Sequence, residues 1–273
     1  MKGGEKEMSV MTIVACKIFE DEMVWLMQRD PSFENVIADN GEVDRFCEKL
    51  DACGVSYKRV PEAAFRDAGG LPSEFSGVCA RVFWIMPFAL HAVVKKLKEG
   101  VYEKIREVKS YSNAVFLMYG LCGNALLDVE NDLSDDICPV VILRDNDGVI
   151  ADDCIGALVG GRRVYSDLLK GFHGVGTFIM MPKWSACWRD IAVASGFSDH
   201  PENTEMMGIL MEMANYRQVM KLDTGLTYEP HFDDNIREFS NIFGFDILTH
   251  TGNQDMVSNC YERVRKIVLK DDV

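Results

Sequence analysis

A chain of 273 residues, 48% hydrophobic and 26% charged, is long enough to bury the core of one large or two modest domains. Its formal net charge of -14 and sequence pI near 4.8 argue against a nucleic-acid partner, which needs a basic face to displace counterions from phosphates. Residues 1–8 read as a polar N-terminal tail, and the apolar run behind them is too short and interrupted for a signal peptide or a spanning helix. A cytoplasmic protein without membrane contact is therefore expected.

Residues 9–15 read as a strand, followed by a helix over 17–28 and a second helix over 43–52. A short strand is expected at 56–60, and 61–77 has loop composition around Gly69-Gly-Leu-Pro72. Residues 82–86 form an apolar strand pattern. Val94, Leu97, Val101, Ile105 and Val108 then recur every three or four residues and predict a helix, with Lys95, Lys96, Lys98, Lys104 and Arg106 on its wet face. Strands are expected at 114–118, 139–143 and 176–181, with a short apolar helix opening at Cys154 and ending at Gly160 and Gly161. A helix starting near Trp184, a Met-rich helix over 205–216, a strand at 218–222, a helix over 232–243, a strand at 245–249 and a last helix over 255–269 complete the reading.

Strand and helix alternate through nearly the whole length, and several strands are apolar on both faces. The fold class this predicts is α/β, a mostly parallel sheet with helices on both faces in Rossmann-like layers. Residues 9–273 read as a single α/β domain with a possible subdivision near residue 200. In such folds ligands gather outside the carboxyl ends of the strands. That rule selects Cys16, the turn Tyr119-Gly-Leu-Cys-Gly-Asn124, residues 144–153, 182–184, 223–225 and 250–252.

Nine cysteines without a C-x-x-C pair do not form a disulfide framework, and most are expected to be buried and inert. Cys16, Cys122 and Cys154 stand apart, because each falls at a strand end or a helix start. Their chain spacing matches no zinc finger or ribbon, so a shared metal site would have to be assembled by the fold; the alternative is three buried thiols at tight turns. Tyr119 and Trp184 are candidate walls of a pocket at the strand ends, with core packing as the plainer role. Gly171-Phe-His-Gly-Val-Gly176 has neither the order nor the lysine of a phosphate loop. His173 and His250 are the histidines nearest strand edges.

Ile13-Val-Ala-Cys16 with Glu22, Tyr119-Gly-Leu-Cys-Gly-Asn124, and Asp153-Cys154-Ile155 running into a glycine turn together resemble the family catalogued as domain of unknown function 1638. The resemblance covers residues 13–188, with a looser match at Leu222-Asp-Thr-Gly225. It implies that Cys16, Cys122 and Cys154 belong together, in a setting of corrinoid-dependent one-carbon metabolism. It also draws in Gly120, Gly123 and Asn124 beside Tyr119 and Trp184 as cofactor-binding positions. Where the family usually has His-Asp-Cys, this chain has Asp152-Asp153-Cys154, so Asp152 stands in for a histidine.

A three-cysteine site implies zinc with an open fourth position, which holds a bound thiol as thiolate and suits thiol activation or methyl transfer. Glu22, Asp152 and Asp153 are the candidates for orienting ligands or carrying protons; the plainer roles are a solvated helix carboxylate for Glu22 and a helix N-cap for Asp153. A [4Fe-4S] cluster with one open iron, serving a hydratase or condensing enzyme, is the alternative metal centre. A further alternative is an accessory protein that handles a metal or corrinoid for a methyltransferase partner. The expected substrate is a small molecule, a thiol or methylated compound.

Overall fold

Val10, Met11, Ile13, Val14 and Ala15 point alternately to opposite sides of strand β1 (Ser9–Cys16), and all are fully buried, so both faces of that strand are covered. The same is true of β5 (Ala114–Met118) and of β4 (Cys79–Met86) from Ala80 onward. The structure is a computed structural model that describes residues 9–87, 94–194, 196 and 198–270; the expected polar tail over 1–8 lies outside them.

These three strands form the middle of a six-stranded parallel sheet with β2 (Glu34–Asp39), β3 (Lys58–Pro61) and β6 (Val140–Ile142), in the order β3-β2-β4-β1-β5-β6. The chain leaves β1 toward β2 on one side and leaves β5 toward β6 on the other. The carboxyl edge of the β1–β5 pair is thus the point where connections diverge, the usual ligand crevice of an open parallel sheet. Helix α1 (Glu20–Arg29), α2 (Asp44–Ala52), α3 (Glu62–Ala68) and α4 (Val94–Val108) fall between the first strands, and α5 (Val129–Leu133) precedes β6.

After α6 (Cys154–Val159) and α7 (Arg162–Gly171), a second parallel sheet follows: β7 (Gly176–Met180), β8 (Tyr216–Asp223) and β9 (Asp246–Thr251). Between its strands run α8 (Pro182–Ala194), α9 (Thr204–Met213) and α10 (Phe232–Phe243), and α11 (Asp255–Leu269) returns to pack on β1 and β5. The period of two divides this sheet between two cores. Ile179, Met220 and Leu222 join the core of the first sheet, while Met180 and Val219 meet Trp188, Met207, Phe239 and Phe245 in a second.

The parallel α/β class read from the sequence is the class observed. The elements that local pattern missed have physical reasons. β2 shows only three consecutive apolar residues, and α7 has no fully buried residue. Residues 61–77 are not a loop: α3 lies there, ended by Gly69 at φ 63°, and Phe65 is buried against Trp84 at a ring separation of 5.1 Å. Nor is Lys104 a wet residue. Its ammonium stands 3.6 Å from the centre of the Trp84 ring and pairs with Glu62. Among the described residues no helix is long and apolar enough to cross a membrane.

Where the two sheets meet, charge is buried. The Lys49 ammonium lies 2.7 Å from Asp21, 3.2 Å from Glu229 and 3.4 Å from Glu20, and Lys183 reaches Glu20 at 2.8 Å. Glu20 and Asp21 come from the first turn of α1, Lys183 from the start of α8, and Glu229 from the connection after β8. These ion pairs therefore tie the carboxyl ends of β1, β7 and β8 together.

Candidate three-thiol site

Cys16 is the last residue of β1, paired in register with Met86 of β4, and is 2% exposed. The strand is one residue longer than the pattern indicated, so this thiol is delivered by the sheet itself. β5 ends at Met118, and the chain turns at Tyr119, whose N–H donates to the Leu117 carbonyl at 2.9 Å. From there the two remaining cysteine segments are laced together. The Leu121 N–H donates to the Ala151 carbonyl at 2.8 Å, and the Cys122 N–H donates to the Asp152 carbonyl at 2.9 Å.

Gly120 is required by that lacing. A Cβ there would stand 2.7 Å from both the Ala151 carbonyl oxygen and the Asp153 Cα, closer than two non-bonded atoms tolerate. Cys122, Gly123 and Asn124 then adopt φ of 45°, 69° and 65° in succession. For Cys122 this left-handed conformation is uncommon, and it persists because the backbone on both sides is held.

Cys154 opens α6 behind an N-cap: Asp153 Oδ1 accepts the Gly156 N–H at 2.7 Å, and its other oxygen accepts the Tyr165 hydroxyl at 3.3 Å. The capping role is therefore present. The Asp153 carboxyl is nevertheless pushed up from its ordinary value, by burial first, with the Gly156 N–H and Tyr165 opposing.

The three thiols meet. Cys154 is within hydrogen-bond reach of both Cys122 and Cys16, and these two contacts, reinforced by burial, hold its thiol well above the usual range. Tyr119 is fully buried, and its hydroxyl is also raised, by burial and then by the neighbouring Cys16, Cys154 and Cys122. A cavity of about 360 Å³ opens over the cluster, walled by Ile18, Val94, Leu97, Ile155 and Trp184 as well as by the thiols, Gly123 and Asp153. A larger groove of about 780 Å³ lies at the opposite, amino edge of β2 and β3 and gathers no comparable set of reactive groups.

Other sequence candidates lie elsewhere. Asp152 pairs with Arg162 at 2.8 Å, and Asn124 is exposed. Neither lines the cavity, and neither do His173 and His250. Glu22 is not a solvated helix carboxylate. It is 1% exposed, and burial, with Asp21 next in effect, pushes its carboxyl up to about 8. The charges acting on it, Asp21 and Lys49, belong to the seam between the sheets rather than to the thiols.

Sequence reasoning passed over Lys49, Glu20 and Glu229. Lys183 lies in the turn 182–184 that the strand-end rule selects, but only Trp184 of that turn was given a role. For the buried Lys183, desolvation lowers the pKa despite Glu20.

Among the described residues, no three or more His, Cys, Asp or Glu side chains stand ready around a metal centre. The Cys154 thiol is hydrogen-bonded to Cys122 and to Cys16, and all three cysteines are free of disulfides. Their donor chemistry fits a soft or borderline metal, since thiolates favour zinc, copper(I) and iron–sulfur clusters, and ligation displaces the thiol protons.

The fold and site define a parallel α/β protein with a thiol cluster at the switch point of its larger sheet. The model of the family described as Protein of unknown function (DUF1638) matches residues 85–261, and the chain belongs to that family. The matched span contains Cys122 and Cys154, whereas Cys16 lies before it. No curated protein and no solved structure matches the chain.

Proposed function

We propose that this protein binds zinc through Cys16, Cys122 and Cys154 and uses the open fourth position to activate a small thiol, with methyl transfer to or from sulfur as the reaction. One observation carries the reading: three thiols from segments far apart in the chain converge under a single cavity at the carboxyl edge of β1 and β5. Zinc held by three protein ligands supplies a Lewis-acidic position that keeps an incoming thiol ionised.

The chain's own groups do the rest. Gly120 lets the Cys122 turn approach the backbone that carries Cys154, and Asp153 fixes the start of the helix from which Cys154 projects. Trp184 and Leu97 form apolar walls of the cavity over the sulfurs. Tyr119, beside all three thiols, is placed to orient them or hold a proton near them.

Three protein ligands with a fourth position left for substrate is the ligand number of a catalytic zinc, and the alternative with the same three cysteines is a [4Fe-4S] cluster with one open iron. The test is metal analysis with visible absorption on anaerobically purified protein. One colourless zinc per chain, lost in Cys16→Ala, Cys122→Ala and Cys154→Ala variants that remain folded, is the expected result. Brown protein containing iron and sulfide would replace zinc with the cluster, and folded protein that takes up neither metal would overturn the proposal.

A further inference from the structure

The walls of the cavity carry information about what enters it. Apart from the thiols, Gly123 and Asp153, its described lining is Ile18, Val94, Leu97, Ile155 and Trp184, with no Lys, Arg or His among these residues. Of the described cations near these residues in sequence, three are held by carboxylates. Lys17 pairs with Glu42 at 2.7 Å, Lys183 with Glu20 at 2.8 Å and Arg162 with Asp152 at 2.8 Å. On the helix that carries Val94 and Leu97, Lys95, Lys96 and Lys98 are exposed and outside the cavity lining, Lys95 facing Glu99 at 3.8 Å and Lys98 lying 4.9 Å from the Tyr102 ring centre.

An anionic tail entering this cavity would lose its hydration beside Asp153 and sulfur without gaining a side-chain cation from the described lining. Burying such an unpaired charge is far costlier than burying an alkyl chain, which is favourable by about fourfold in affinity per methylene. The volume of about 360 Å³ lies toward the small end of ligand pockets, which run from about 300 to 1,000 Å³.

We infer that the thiol taken by this site is a small aliphatic one with an uncharged tail, and that thiols bearing a carboxylate, sulfonate or phosphate are excluded. The inference rests on the thiol-activation reading above for the metal, and on the apolar lining for the tail.

The test uses the full chain loaded with cobalt(II) in place of zinc, with the thiolate-to-cobalt absorption followed during titration. Binding of 1-propanethiol at least tenfold tighter than 2-mercaptoethanesulfonate or glutathione is expected. Val94 is half exposed at the cavity wall, so Val94→Lys should fold and bring the sulfonate to within about threefold of propanethiol. Equal or tighter binding of the anionic thiols by the unaltered protein overturns the inference. If the protein takes up no cobalt, the metal reading fails by itself. The tail preference is then read from quenching of Trp184 in metal-free protein, with Trp184→Phe as the blank. Propanethiol acting at lower concentration than the sulfonate supports it, and the reverse or no difference refutes it.

Discussion

Glu22 is the residue whose chemistry departs furthest from its sequence context. A carboxylate in the first turn of a helix ordinarily sits in water and gains from the helix dipole; here it is enclosed, and its carboxyl is held at about 8 against an ordinary 4.5. The folded protein therefore keeps a proton on Glu22 across a range in which the unfolded chain has lost it. Stability supplied by the neutral carboxyl is complete below about 4.5 and is lost as pH rises toward 8. Each pH unit across that window is worth about 1.4 kcal/mol, an upper bound for one group. Glu22→Gln should thus be more stable than the unaltered protein at pH 8, by of the order of a few kcal/mol, with the gap closing at pH 5. Urea unfolding at the two pH values measures this, and parallel pH profiles would contradict it. Gly120 makes a second residue-scale prediction. Gly120→Ala forces a methyl into a space where the Ala151 carbonyl stands 2.7 Å away, so a loss of about 1–3 kcal/mol is expected. Because the displaced turn carries Cys122, zinc retention on dialysis should fall with it; a variant of unchanged stability and metal content would show that the turn does not need glycine.

At the scale of the element, α6 is six residues long and cannot stand by its own propensity. It depends on its ends: the Asp153 cap at the start, and Gly160 at φ 115° with its N–H donated to the Gly156 carbonyl at the finish. Asp153→Ala should lower stability by about 1 kcal/mol, while Asp153→Asn, which still accepts the Gly156 N–H, should lose only a fraction of that. The same pair separates capping from any further role at the thiols: equal zinc affinity in the asparagine variant assigns Asp153 to the helix alone, whereas reduced affinity with normal stability requires the charge. Sequence pattern read this element well. The Asp-Cys start and the Gly160-Gly161 finish are local signals, and the apolar run between them is short. α3 was hidden because its helical signal is one buried phenylalanine between a proline and a pair of glycines. α7 was hidden because it buries no residue fully.

For the whole molecule, the seam between the two sheets is the feature with the largest energetic stake. Three carboxylates converge on the Lys49 ammonium, which is itself largely enclosed. Burial works against its charge, yet Asp21, Glu20 and Glu229 together hold its pKa above the ordinary value. Removing the cation leaves those carboxylates buried without it, so Lys49→Met should cost about 3–5 kcal/mol. The loss should be partly recovered by adding Asp21→Asn, since that removes one uncompensated charge. Urea denaturation of the single and double variants gives the coupling directly, and a Lys49→Met protein as stable as the parent would exclude the seam as a source of stability. The seam also bears on the cavity. Lys183 anchors to Glu20 the start of the helix that carries Trp184, and Trp184 forms one wall over the thiols.

The sequence by itself determined the layered parallel fold, because runs apolar on both faces, alternating with amphipathic helices, can bury their surface in few other ways. It also determined which cysteines to watch, since Cys16, Cys122 and Cys154 stand where strands end and helices begin, and the turn chemistry at those places is local. What only the tertiary structure decided is proximity. Whether three thiols meet depends on strand order, and the β1–β5 pairing that brings Cys16 beside the Cys122 turn joins segments far apart in the chain. The buried charges were equally out of reach of local reading. Lys49, Lys183, Glu20 and Glu229 look like ordinary surface residues one at a time, and only the closing of one sheet against the other takes water from all of them at once.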